Sequence, residues 1–154
     1  PDNRKAREAM MLGSMQAGMA FSNSSVCLVH GMSRPIGAFF HVPHGLSNAM
    51  LLPEITAFSA PAALERYADC ARAMGIAAEG EGNQSAVARL LDELRALNAD
   101  LKVPTPRDYG IDERRYRELM PTMASQALAS GSPGNNPRVP TADEIVELYT
   151  RVYA

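Results

Sequence analysis

The chain has 154 residues, the length of one average domain, which excludes a second full cofactor-binding domain within it. Hydrophobic residues make up 46% and charged residues 21%, a soluble globular composition that excludes disordered and fibrous chains. The 15 Lys and Arg against 17 Asp and Glu give a formal net charge of −2, so no basic surface for nucleic acid is expected.

The first predicted helix runs from Asn3 to Phe21, close behind the first residue, Pro1. This start suggests a piece cut from a longer protein. No basic and apolar leader and no run of about 18 apolar residues is present, so we expect a cytoplasmic protein that does not enter a membrane. Several early methionines recur at near-helical spacing and are predicted to fill the core; they are Met10, Met11, Met15, Met19 and Met32.

Helices are predicted next over Ser25 to Phe40 and over Leu46 to Phe58. Another begins near Ser59 and stops at Gly75. The following helix, through Val87 to Leu97, is expected to have a cap at Asn83 or Ser85.

The region Ile111 to Ala129 is helical in pattern, but Pro121 lacks an N–H and is predicted to split it into two pieces. The last helix, Ile145 to Val152, follows a Thr141 and Glu144 pair with capping-box spacing. Gly- and Pro-rich connectors separate these helices, and strand alternation is almost absent. The predicted fold class is therefore all-α, a multi-helix bundle with no substantial β-sheet.

Two cysteines, Cys27 and Cys70, lie in apolar helical patterns and form no CxxC pair. We therefore predict reduced, buried thiols and no thiolate metal site.

All three histidines fall in one stretch, at His30, His41 and His44. His44 lies between Pro43 and Gly45 just before a helix, where the positive end of the helix dipole favours a neutral ring that can bind a metal. A helix-turn-helix would bring His30 and His44 together. Two imidazoles are fewer than the three or four protein ligands of most transition-metal sites, so ordinary core and cap histidines stay an alternative.

Several motifs in this region resemble the helical domain of the iron-containing (group III) alcohol dehydrogenases. They are AGMAFSN over 17–23, LVHGM over 28–32, PIGAF over 35–39, PHG over 43–45 and NAMLLP over 48–53. The segment Asn136-Pro137-Arg138 before a capped last helix resembles the end of that family. The resemblance covers about residues 10–154.

The resemblance implies part of a C-terminal all-helical metal-binding domain, with the N-terminal NAD(P)-binding domain absent from residues 1–154. His30 and His44 would be two of four ligands for Fe²⁺ or Zn²⁺. The other two, an Asp and a His on an earlier helix, match nothing in the chain. The implied reaction is hydride transfer between a small alcohol or aldehyde and NAD(P), and a chain with half the ligands is expected to be inactive alone and to bind metal poorly.

Three further residues receive expectations from the resemblance. Phe21 corresponds to an aromatic that lines the substrate pocket, and Asn136 lies in a loop that borders it. Arg34 stands where the family usually has a proton-relaying histidine. A guanidinium stays charged, so Arg34 is expected to bind a cofactor phosphate or a substrate carboxylate, or to form an ordinary salt bridge. His41 replaces a polar amide and is interpreted as a turn residue.

Two alternatives stay open at this stage. The chain could be a non-catalytic helical interaction module with structural histidines, whose methionine-rich first helix binds a partner. It could also be related to dehydroquinate synthase or glycerol dehydrogenase. A severed domain would expose apolar surface, so we also predict self-association, and a homo-oligomer for the intact protein.

Overall fold

The computed structural model describes residues 2–153, and within them the chain forms seven α-helices and two short 3₁₀ turns with no strand. The turns cover Ala60–Ala62 and Ser132–Asn135. The α-helices are α1 (Arg4–Ser24), α2 (Leu28–Phe40), α3 (His44–Ser59), α4 (Leu64–Ala73), α5 (Asn83–Asp100), α6 (Glu113–Ala129) and α7 (Ala142–Tyr153). The predicted all-α fold class is confirmed.

Two apolar cores organise the helices. The first core lies between α2, α3, α6 and α7, and its largest side chains, such as Tyr116 and Tyr149, are fully buried. The second core is smaller and rich in alanine, and it lies chiefly between α4 and α5. Since α3 packs against α2 and α7 on one side and against α5 on another, it connects the two cores.

Proline interrupts these helices less than predicted. α6 continues through Pro121, so the predicted split there is wrong. Both Pro121 and Arg117, whose carbonyl loses its helical partner to the proline, lie on the exposed face, where water can take that hydrogen bond. In α3, Pro53 frees the carbonyl of Ala49, and Asn98 of α5 donates its Nδ2 to that oxygen at 2.8 Å.

The helix ends confirm one predicted cap and contradict two other predictions. The capping box of α7 is confirmed, because Thr141 Oγ1 accepts from the Glu144 N–H at 3.2 Å and Glu144 Oε2 accepts from the Thr141 N–H at 2.8 Å. The predicted cap of α5 is wrong: Gly82 holds the cap position, and Asn83 is already the first helical residue. Ser59 ends α3 rather than starting α4, since Pro61 lies in a separate 3₁₀ turn.

The prediction that the early methionines fill the core is wrong for those of α1. No residue of α1 is buried, and its large apolar side chains are half to three-quarters exposed. These are Met10, Met11, Leu12, Met15, Met19 and Phe21. Only Met32, of the five early methionines, fills the core as predicted. Exposed apolar patches were predicted on the helices 3–21 and 25–40. The prediction is confirmed for α1 but wrong for α2, which packs against α3 and α6.

The cysteines are free thiols, but neither is buried: Cys27 is half-buried and Cys70 is exposed. The prediction of buried cysteines is wrong, because Cys27 is the cap residue before α2 and Cys70 lies on an exposed face of α4. Across residues 2–153, no helix combines the length and hydropathy needed to span a bilayer.

Candidate metal centre

α2 carries the first candidate site residues on the face that points away from the core. Leu28, Met32 and Ile36 repeat at intervals of four residues and are 0% exposed in the first core. Tyr149 of α7 fixes this side by donating its hydroxyl to the Met32 carbonyl at 2.8 Å. Residues two positions along lie about 200° around the helix, so His30 and Arg34 project on the opposite face.

A tight turn between α2 and α3 then brings the chain back beside His30. His41 ends α2 in the left-handed conformation with φ 56° and donates its N–H to the Gly37 carbonyl at 3.0 Å. A Cβ at Gly37 would lie 3.3 Å from the Val42 carbonyl, so the missing side chain lets the turn pass closely. Val42 is buried and anchors the turn. α3 therefore starts at His44, beside the outer face of α2.

The two histidine rings come together, as the helix-turn-helix predicts. The ring centroids of His30 and His44 are 5.3 Å apart, with the planes inclined at 53°. Two imidazoles that share one ion, with metal–nitrogen bonds of about 2.1 Å at a near-tetrahedral angle, would place their centroids about 5 Å apart. The spacing of this pair fits ligation of one divalent ion.

Electrostatics at His30 favour the form that binds a metal. Burial, the neighbouring His44 ring and the Arg34 cation together lower the pKa of His30. His30 is therefore neutral at pH 7, with a ring nitrogen that holds a free electron pair. Asn48 lies one turn after His44, and its Nδ2 lies 3.2 Å from His44 Nε2 and donates to the His44 carbonyl at 2.8 Å.

The pair alone has fewer ligands than a stable metal site requires. Within residues 2–153, no group of three or more His, Cys, Asp or Glu side chains is arranged to hold an ion. Two imidazoles fit the chemistry of iron or zinc, but a stable centre needs one or two further protein ligands. The residues present thus fit the chemistry of a divalent ion, but residues 2–153 do not complete its ligand set.

The 132–135 turn packs over α2 beside the histidines. Arg34 donates from Nη1 to Ser132 Oγ at 3.1 Å, and Ser132 is only 5% exposed. Pro133 packs against Gly31, where an added Cβ would lie 3.0 Å from two atoms of the proline ring. The absence of a side chain at Gly31 therefore allows the turn to approach the helix that carries His30.

Gly31→Ala is expected to lower the free energy of unfolding by about 2 kcal/mol, because the methyl group meets a rigid proline ring. Urea unfolding of the chain, followed by circular dichroism, measures the change. Gly45→Ala is the matched control, since nothing lies within 4 Å of its Cβ position in α3 and alanine has the higher helix propensity. Equal stability of the two variants would contradict this packing.

The other two predicted site residues, Phe21 and Asn136, have different surroundings. Phe21 is 53% exposed on α1. Asn136 is buried and donates to Ser59 Oγ at 2.9 Å and to the Arg138 carbonyl at 2.7 Å. Ser59 ends α3, fifteen residues after His44 and roughly 22 Å along the helix axis. Asn136 thus fastens the loop at the far end of α3, and the pocket roles of Phe21 and Asn136 stay predictions.

Sequence reasoning missed two neighbours of the site. Asn48 could have been found from its spacing, since a residue four positions after His44 lies on the same helix face. Ser132 could not, because its contact with Arg34 joins residues 98 positions apart. His41, interpreted as a turn residue, is exposed in the turn between α2 and α3.

Comparison with known proteins identifies the class to which this helical domain belongs. The model of the C-terminal part of the Fe-containing alcohol dehydrogenase family matches residues 1–153, so the chain belongs to that family. This confirms the resemblance seen in the sequence.

Particular relatives define the match more closely. The chain is 42% identical over 148 residues to the lactaldehyde reductase of Escherichia coli (strain K12). The aligned region covers 96% of this chain and 38% of that enzyme. It is 35% identical to the NADPH-dependent butanol dehydrogenase of Clostridium saccharobutylicum, over 98% of this chain and 39% of that enzyme. The chain therefore spans less than two-fifths of the length of these relatives.

Solved structures of alcohol-oxidising enzymes have the same fold as this chain over part of their length. The alcohol dehydrogenase from Oenococcus oeni superposes with a TM-score of 0.89 at 33% identity, over 98% of this chain and 39% of that one. A 1,3-propanediol oxidoreductase superposes with a TM-score of 0.91, also at 33% identity, over 99% of this chain and 39% of that one.

Proposed function

We propose that this chain supplies part of the active site of a metal-dependent, NAD(P)-linked oxidoreductase that interconverts small alcohols and aldehydes. The observation that carries the proposal is the pairing of His30 and His44 at 5.3 Å between centroids, at a spacing suited to one ion. Family membership and the relatives' printed activities support the reaction class. They favour this proposal over a non-catalytic interaction module.

Each residue has a definite part in the proposal. His30 and His44 would hold a divalent ion, Fe²⁺ or Zn²⁺, together with ligands from the rest of the enzyme. The ion, when bound, supplies Lewis-acid polarisation of the substrate oxygen. A bound nicotinamide would exchange a hydride with the carbinol carbon of the substrate.

The proposal extends to the intact enzyme. An N-terminal domain binds NAD(P) and completes the metal site, and the exposed apolar residues of α1 become covered when the whole enzyme, a homo-oligomer, assembles. The enzyme acts in the cytoplasm, where NAD(P) is available. Residues 1–154 alone are expected to be inactive, because the part that the structure describes holds no full set of metal ligands.

Metal removal and return test the proposal. The intact enzyme, expressed from the complete reading frame that contains this chain, is stripped with a chelator and then given Fe²⁺ or Zn²⁺ without oxygen. We expect oxidation of small primary alcohols with NAD⁺ or NADP⁺ to stop after stripping and to return with one of the two ions. Full activity of the stripped enzyme would refute the proposed metal chemistry.

A further inference from the structure

Arg34 is a cation without a carboxylate partner in the part of the chain that the structure describes. Eight arginines among residues 2–153 lie within 4.0 Å of an Asp or Glu oxygen, and Arg34 is not one of them. Within the same residues Arg34 donates one hydrogen bond, from Nη1 to Ser132. A guanidinium carries five N–H donors, so most of its hydrogen-bonding capacity is free.

The free donors lie next to the histidine pair. Arg34 follows His30 by one helical turn, a spacing that puts the two Cβ atoms about 6 Å apart on one face. Arg34 is exposed, so a ligand can reach its guanidinium.

The guanidinium is also held in place. Ser132, its hydrogen-bond partner, is 5% exposed, and the neighbouring Pro133 packs against Gly31 on the same helix. A cation fixed in this way loses little further conformational freedom when it binds a planar anion through two parallel hydrogen bonds.

We propose that Arg34 binds a carboxylate of the substrate, so that the enzyme oxidises short hydroxy acids and reduces the matching oxo acids. This inference rests on the proposed function. In the oxidation, hydride leaves the carbinol carbon for NAD(P)⁺ and the hydroxyl proton passes to water, which gives the oxo acid, NAD(P)H and H⁺. The carboxylate itself is unchanged and serves to orient the substrate, with its hydroxyl directed to the histidine pair.

A matched pair of substrates tests this assignment in the intact enzyme. The acid 3-hydroxypropanoate and its amide, 3-hydroxypropanamide, have nearly the same shape and differ in charge. We expect the enzyme to prefer the acid. Arg34→Gln should lower kcat/KM for the acid by about 100-fold and for the amide at least tenfold less, since a charge-assisted bidentate contact is lost. Arg34→Lys should restore part of the preference.

Binding without turnover gives a second readout. Propanoate carries the carboxylate but no hydroxyl, and calorimetry of its binding to the intact enzyme should give a Kd at least tenfold weaker in Arg34→Gln. Arg66→Gln, at an exposed arginine of α4, is the control and should leave both the acid preference and propanoate binding unchanged.

Two results would overturn the inference. One is an equal loss on the acid and the amide, which would give Arg34 a purely structural role. The other is weaker binding of NAD(P)H in Arg34→Gln with no change in the preference for the acid, which would assign the guanidinium to a cofactor phosphate. An unmodified enzyme that oxidises no alcohol with NAD(P) would instead refute the proposed function, so the two failures are distinguishable.

Discussion

His30→Ala and His44→Ala are each expected to abolish metal retention by the intact enzyme and to lower alcohol oxidation by about a thousandfold, or ~4 kcal/mol of transition-state stabilisation. The reason is geometric. The two rings lie 5.3 Å apart between centroids, so under the proposed function each would supply one ligand to the same ion. Within residues 2–153 no other cluster of His, Cys, Asp or Glu could replace them.

Metal content by elemental analysis and steady-state kinetics measure the effect. His41→Asn is the matched control, because His41 is an exposed histidine of the same segment and asparagine tolerates its left-handed backbone. Circular dichroism checks that each variant is folded, and His30→Gln provides a second, less disruptive change. A His30→Ala enzyme with a normal metal content would show that the ligand assignment is wrong.

Leu51→Ala is expected to lower the free energy of unfolding by about 3 kcal/mol. Leu51 is 0% exposed in the first core, on the helix that connects both cores, and its truncation leaves a cavity that well-packed neighbours cannot fill. Urea unfolding of the chain, monitored by circular dichroism, measures the difference.

The adjacent residue offers the control. Leu52 has the same side chain in the same helix but is 37% exposed, so Leu52→Ala is expected to change the free energy of unfolding by less than about 1 kcal/mol. If the two variants were equally destabilised, α3 would not face the first core in the way described.

Local patterns predicted the parts of the site that depend on neighbouring residues. His30 and His44 belong to one helix-turn-helix, so their approach follows from a turn at residues 41–43. The capping box was predictable for the same reason, because Thr141 and Glu144 are only three positions apart. Family resemblance supplied the metal chemistry, which two histidines alone leave open.

Long-range contacts decided what sequence patterns could not predict. The hydrogen bond from Arg34 to Ser132 crosses 98 positions, and Asn98 satisfies the carbonyl freed by Pro53 from a different helix. Pro121 was expected to break α6 because helical pattern alone does not reveal that water can reach the freed carbonyl. The methionines of α1 are spaced like core residues, yet the described chain buries none of them.

The position of His44 as the first residue of α3 links ligand binding to stability. α3 packs against α2 and α7 in the first core and against α5 beside the second. An ion that binds His44 only in the folded state adds its binding free energy to folding by mass action. Because α3 packs against helices of both cores, that contribution also stabilises the second core between α4 and α5. Metal release and unfolding of all the helices are therefore expected to occur in one cooperative transition.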